Sequence, residues 1–248
     1  MQTHWFYTVW PFIGLGGAVV MIAILLMTDT FRGNTTVSRW RDLVWLAWLA
    51  VPLYWLHQLE EYSLPVIGLN YSLPDMVCKN FGFEPYPACP IPLPFYPLVN
   101  IALMWFGAPL AAYLSRRNIL IGLSYWGLLL ANGLLHTAGG IAQGAYNTGL
   151  WTAAILFVPL SLWVIYACAI RGPYNGKVVG VAFAAGALTH VLLFIGYGLF
   201  KSGVIGSTGL LVYAAVIGFT PIILAALAIR FFKPELLRPD EHHYRRDR

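Results

Sequence analysis

Seven apolar stretches recur along the 248-residue chain, and they limit its fold more than any other feature. A helix needs about 20 apolar residues to cross the hydrocarbon core of a bilayer. Only 10% of the residues are charged, against about 25% in soluble domains. The sequence therefore predicts an all-α polytopic integral membrane protein built as a seven-transmembrane-helix bundle. The predicted spans are residues 9–28, 43–62, 96–114, 119–141, 151–170, 178–200 and 209–231.

The distribution of Lys and Arg predicts the orientation of these spans. Basic residues follow the first, third, fifth and seventh spans, whereas the opposite connections contain only Lys79 and Lys201. Because positive charge accumulates on the cytoplasmic side, we expect the N-terminus outside and the C-terminus inside. The net charge of +5 thus reflects topology, and no nucleic-acid partner is expected. We predict one seven-helix domain over residues 1–233 and a charged cytoplasmic tail over 234–248, in the plasma (inner) membrane.

One outer loop, residues 63–95, is long and rich in proline and aromatic residues. It contains Cys78 and Cys89, and a non-cytoplasmic loop lies in an oxidising compartment, so a disulfide between them is plausible. This loop is either a movable lid or a packed surface cap. Cys168, alone in the fifth span, is expected to be a packing residue.

The end of the second span breaks the apolar pattern with the sequence His57-Gln58-Leu59-Glu60-Glu61. His57, Glu60 and Glu61 share a helix face because they are three and four residues apart. No Lys or Arg lies within any span core to neutralise the two carboxylates. Ionisable groups at membrane depth are costly and usually functional, so this segment is the first candidate site.

Helix geometry places several polar residues at a similar depth. At ~1.5 Å per residue, His57 lies roughly 21 Å from the inner end of its span, Glu60 and His136 roughly 26 Å, and His190 roughly 18 Å. Asn100 enters from the outer side and lies about 6 Å below that boundary. The polar positions therefore fall in the outer half of the membrane.

Three histidines and two carboxylates suffice for one zinc or iron ion with an open position. One glutamate would remain as the general base or acid, a role open to Glu60 or Glu61. Asn132 is one turn from His136 and is expected to orient its ring, and Asn100 is expected to support the site. Interhelical hydrogen bonding without any ligand is the alternative for His136 and His190. The predicted metal ligands are His57, Glu60, Glu61, His136 and His190.

The segment from His57 to Glu61, early in a polytopic chain with later polar positions at Asn132, His136 and His190, resembles the HXXEE family of membrane proteins. Members are named for this motif and are largely without assigned function. The resemblance implies a shared intramembrane site and no particular reaction.

These observations favour a metal-dependent membrane enzyme that acts on a lipid or other apolar substrate, with zinc-dependent hydrolysis as the first choice. An iron-dependent desaturase, hydroxylase or oxidase would use the same ligands. A proton- or cation-coupled transporter is another reading, although no inverted repeat is evident. A metal-free acid–base lipid isomerase would need only one Glu and one His. The sequence does not indicate an oligomeric state.

Overall fold

The structure is a computed structural model that describes residues 5–67 and 72–232. Most of these residues are helical. No β-strand occurs within those two ranges. The predicted tail, 234–248, lies outside them. The main helices are α1 Phe6–Met27, α2 Leu43–Ser63, α3 Leu73–Asn80, α4 Phe95–Leu114, α5 Ile119–Gln143, α6 Leu150–Ile170, α7 Gly176–Lys201, α8 Ser207–Ile217 and α9 Thr220–Phe232.

Within the described residues, five helices (α1, α4, α5, α6 and α7) are long and apolar enough to cross a membrane, and the bent pair α8 and α9 would be a sixth span. Large apolar side chains such as Val19, Ile155 and Val212 point away from the bundle, as lipid-facing residues do. The prediction of an all-helical, multi-pass membrane protein is therefore confirmed. The axes of α8 and α9 are bent by 50° at the break between Ile217 and Thr220, and Pro221 in the first turn of α9 favours such a break.

The second predicted span corresponds to α2, which does not reach the hydropathy of the other spans. Its 21 residues are of spanning length, but its last third contains His57, Gln58, Glu60 and Glu61. Asp42 caps its N-terminus, accepting hydrogen bonds from the Val44 and Trp45 amides at 3.1 and 3.2 Å. The helix packs against α1, α4 and α5, so most of its surface faces protein rather than lipid.

Helices α5 and α7 approach each other most closely at two glycines. A Cβ atom on Gly127 would lie 2.0 Å from the carbonyl oxygen of Phe183, and one on Gly186 would lie 1.7 Å from that of Ser124. Only glycine fits at such a crossing. On the C-terminal side of this contact, both helices contribute residues to a cavity beside the end of α2.

The segment of residues 72–94, which precedes α4, is anchored beside that cavity. Cys78 of α3 is joined to Cys89 by a disulfide bond, as the sequence predicted. The Tyr86 backbone amide donates to Asp75 at 2.9 Å, and its hydroxyl donates to the carbonyl of Ile91 at 2.5 Å. Burial raises the pKa of Tyr86 to about 12, so this hydroxyl keeps its proton. The segment is thus a covalently closed cap whose helix α3 forms one wall of the cavity.

Candidate metal centre

Three buried side chains from two helices meet at the C-terminal end of α2. Nε2 of His57 and Nε2 of His136 lie 3.1 and 3.0 Å from the same carboxylate oxygen, Oε1 of Glu61. The two imidazole rings are perpendicular, with their centroids 5.0 Å apart. His57 and Glu61 share a face of α2, one turn apart, and His136 comes from α5. These three ligand atoms lie within 4.8 Å of one another, which is a separation suited to one metal ion.

The hydrogen bonds of Thr152 determine which ring nitrogen of His57 carries the proton. Its hydroxyl lies 2.5 Å from Oε2 of Glu60 and 2.7 Å from Nδ1 of His57. Because the hydroxyl donates its single proton to the carboxylate, it accepts from His57, whose proton is therefore on Nδ1. Nε2 of His57 is left with a lone pair, and it makes no hydrogen bond despite its closeness to Glu61.

Asn147 has the corresponding role for His136. Its amide nitrogen donates to the backbone carbonyl of His136 at 2.9 Å, which leaves Oδ1 as an acceptor 3.3 Å from Nδ1 of His136. The His136 proton is therefore also on Nδ1, and its Nε2 also presents a lone pair to Glu61. A neighbour that accepts a hydrogen bond from the second ring nitrogen is the usual companion of a metal-binding histidine.

The three convergent atoms are therefore all electron donors. Two imidazole lone pairs and a carboxylate oxygen, buried together, repel one another unless a cation lies among them. A divalent metal ion would satisfy all three atoms, and protonation of the histidines would satisfy them in its absence. The donor set of two nitrogens and one oxygen fits zinc or iron.

Glu60 belongs to the same motif but does not join this group. Its Oε1 accepts from the Tyr146 hydroxyl at 2.8 Å and the Trp151 amide at 3.0 Å. Its Oε2 accepts from the amide and hydroxyl of Thr152 at 2.8 and 2.5 Å. These bonds occupy both carboxylate oxygens and cap the first turn of α6. Glu60 therefore positions His57 through Thr152.

The remaining predicted residues line the surroundings rather than the three-residue group. Asn132 is expected from the sequence to orient His136, but its amide nitrogen lies 3.4 Å from Nε2 of His190 of α7. Asn100 accepts from Gln58 at 3.0 Å and donates to the Tyr62 hydroxyl at 2.9 Å. It therefore joins α4 to the end of α2.

The sequence reasoning missed the turn between α5 and α6, residues 144–149. It supplies Tyr146 and Asn147, together with Thr148, whose hydroxyl donates to the carbonyls of Glu60 and Glu61. Gly149 has a φ of +88°, and a Cβ atom there would lie 2.7 Å from Cε1 of His57 and 3.0 Å from Cε1 of His136. The sequence signal for this turn is the pair of glycines at its two ends, Gly144 and Gly149.

Part of the chain, including this centre, matches a known family. Residues 48–164 match the model of the family described as "Protein of unknown function with HXXEE motif". This region, slightly less than half of the chain, is similar to the HXXEE family. No curated protein and no solved structure matches the chain.

The HXXEE region contains the whole of the candidate centre. It begins within α2, includes α3, α4 and α5, and ends within α6 after Thr152, whereas His190 lies outside it. The histidine and the two glutamates of the motif do not all contact the centre. His57 and Glu61 face the centre, and Glu60 binds the start of α6 and Thr152.

The centre borders a cavity of about 260 Å³ enclosed by α2, α3, α4, α5 and α7. Glu61 and His136 belong to its wall, and most of the remaining lining is apolar or aromatic. No Lys or Arg is among the described residues that line it. An apolar molecule in this cavity would therefore lie against the carboxylate and the imidazole.

Removing the Thr152 hydroxyl should weaken metal binding without removing a ligand. We expect Thr152→Val to lower metal affinity by about 10- to 100-fold, because the proton of His57 is no longer confined to Nδ1. Competition with a chelator measures the affinity. Thr189→Val is the matched control, since this buried hydroxyl pairs instead with Thr220 at 3.1 Å. Equal affinities in the two variants would contradict the role of Thr152.

Proposed function

We propose that this protein is a membrane-embedded metalloenzyme that acts on an apolar substrate, with zinc-dependent hydrolysis as the favoured reaction. The observation that carries the proposal is the convergence of His57, Glu61 and His136 as three electron donors beside an apolar cavity. Their second ring nitrogens are held by Thr152 and Asn147, so both histidines are prepared to bind a cation.

We propose a seven-span topology in which α2 crosses the membrane and α8 with α9 forms one broken span. The burial of α2 supports this, because a helix surrounded by other helices can carry polar groups that lipid would not accept. The Lys and Arg distribution favours an outer N-terminus and an inner C-terminus. The centre then lies in the outer half of the plasma (inner) membrane.

The position of the cavity supports a substrate that arrives from the bilayer. Leu135 of α5 and Phe194 of α7 line the cavity, and each is also 47% exposed on the outer surface of the bundle. These two side chains therefore separate the cavity from the lipid-facing side of the bundle. Its lining has no cation to neutralise a phosphate, which favours an uncharged lipid or similar molecule.

The division of roles follows from the contacts. A divalent ion at the centre would supply a Lewis acid for a substrate carbonyl or a water molecule. His57, His136 and Oε1 of Glu61 would hold it, and the second oxygen of Glu61, at the cavity wall, would be the general base or acid. The apolar wall excludes bulk water and orients the substrate. Oδ1 of Asn132, which has no hydrogen-bond partner, would be an acceptor for its polar part.

Elemental analysis of the purified protein tests this proposal. We expect close to one zinc or iron ion per chain, as three-ligand catalytic sites bind. The His57→Ala/His136→Ala variant should lose it, and His190→Ala, the control histidine at the cavity wall, should retain it. Zinc would favour hydrolysis and iron an oxidoreductase with the same ligands. Metal-free wild-type protein would overturn the proposal in favour of the acid–base reading.

A further inference from the structure

A second concave site lies at the opposite end of the bundle, away from the candidate centre. It is an open groove of about 1170 Å³ between the α1–α2, α4–α5 and α6–α7 connections. Four arginines line it, and we call it the arginine groove: Arg41, Arg116, Arg117 and Arg171.

The charge of this groove is not compensated within the described residues. Nearby Arg32 and Arg39 pair with Asp29 at 3.2 and 3.1 Å. None of the four groove arginines has a carboxylate within 4.0 Å in the described part of the chain. The carboxylate in the lining, Asp42, accepts from the amides of Gly33 and Asn34 and caps α2. The groove therefore presents a concentrated positive charge.

Two of the guanidinium groups are held in place by neutral partners. Arg116 donates to the carbonyl of Thr30 at 2.9 Å, and Arg171 donates to the Tyr166 hydroxyl at 2.7 Å. Each guanidinium has five N–H donors, so most remain for a ligand. Positioned, uncompensated guanidinium groups are the preferred partners of phosphate, which they bind through paired hydrogen bonds.

We propose that the arginine groove binds the phosphate headgroup of an anionic lipid. The chemistry of the lining favours a lipid over a free phosphate ion, because the arginines accompany apolar side chains at the helix ends, Leu43, Val44 and Ile119. A headgroup would contact the guanidinium groups while the first acyl carbons contact these residues. Basic pockets between the ends of transmembrane helices bind such headgroups in this way.

The test is a binding titration on the full-length protein in an uncharged detergent, read out as the shift in unfolding temperature. Phosphatidylglycerol is the probe, phosphatidylcholine the zwitterionic lipid control and inorganic pyrophosphate the soluble phosphate. We expect phosphatidylglycerol to stabilise the wild-type protein at concentrations where the other two have no effect. Pyrophosphate acting as strongly as phosphatidylglycerol would overturn the lipid assignment.

Charge-removing variants locate the binding. Arg116→Gln/Arg117→Gln should bind phosphatidylglycerol about 30-fold more weakly. Each arginine near an anionic membrane surface contributes roughly a five- to six-fold gain in affinity, and this variant lacks two. Arg41→Gln/Arg171→Gln should show the same loss and serves if the first variant does not fold. Lys79→Gln/Lys201→Gln removes equal charge at the other end and should bind normally. Equal binding by all three variants would overturn the proposal.

Discussion

Replacing Glu61 by glutamine should abolish metal binding, because it removes the charged ligand and inserts an amide between two imidazole nitrogens. Oε1 of Glu61 is within 3.1 Å of both Nε2 atoms, so a neutral group there leaves two histidines as the only donors. The loss should exceed the roughly 10- to 100-fold that outer-shell partners cost. Elemental analysis and chelator competition measure the metal content and the affinity.

The adjacent residue provides the matched control. Glu60→Gln makes the same chemical change one position away, but its oxygens contact Tyr146, Trp151 and Thr152 rather than the centre. We expect this variant to retain metal with an affinity lowered by about 10- to 100-fold, because it disturbs the partner of His57. Metal retained by the Glu61 variant and lost by the Glu60 variant would reverse the two assignments.

Depth along the spans could be predicted from the sequence, and it selected three residues that the structure brings together. A rise of ~1.5 Å per residue predicts that His57 and His136 lie at similar depths on two helices that run in the same direction. Glu61 followed because it is one turn from His57 on the same helix. The structure places these three residues within contact of one another.

The rotation of each helix about its axis could not be predicted in the same way. His190 was expected as a ligand because its depth was similar, but rotation of α7 directs it toward Asn132 instead. Glu60 and Glu61 are neighbours in sequence and point to different partners for the same reason. Rotation depends on side-chain packing, such as the contact of α5 with α7 at Gly127, which the apolar pattern alone does not encode.

The turn 144–149 marks a second limit of the sequence reasoning. The predicted spans leave Asn147 in a connection between two helices, although it determines which nitrogen of His136 carries the proton. Its placement depends on positive φ angles at Gly144 and Gly149, +59° and +88°. Two glycines bounding a short polar turn after a histidine-bearing helix are a signal that could have been used.

Replacing Gly149 by alanine should abolish metal binding even though no ligand is changed. Its Cβ atom would lie 2.7 Å from Cε1 of His57 and 3.1 Å from Cγ of Glu61, distances at which one of the ligands has to move. Catalytic and metal-binding side chains tolerate displacements of only about 0.5 Å. We therefore expect Gly149→Ala to purify without metal.

Gly144→Ala separates this steric effect from backbone strain. Gly144 also has a positive φ, +59°, but a Cβ atom there meets nothing within 4 Å. Both substitutions should cost about 1–2 kcal/mol of stability for an L-residue in the left-handed region. We expect Gly144→Ala to retain wild-type metal content, because its strain arises in the backbone away from the ligands. Metal loss in both variants would show that the centre depends on the stability of the turn. Metal retained in both variants would show that the metal does not bind next to Gly149.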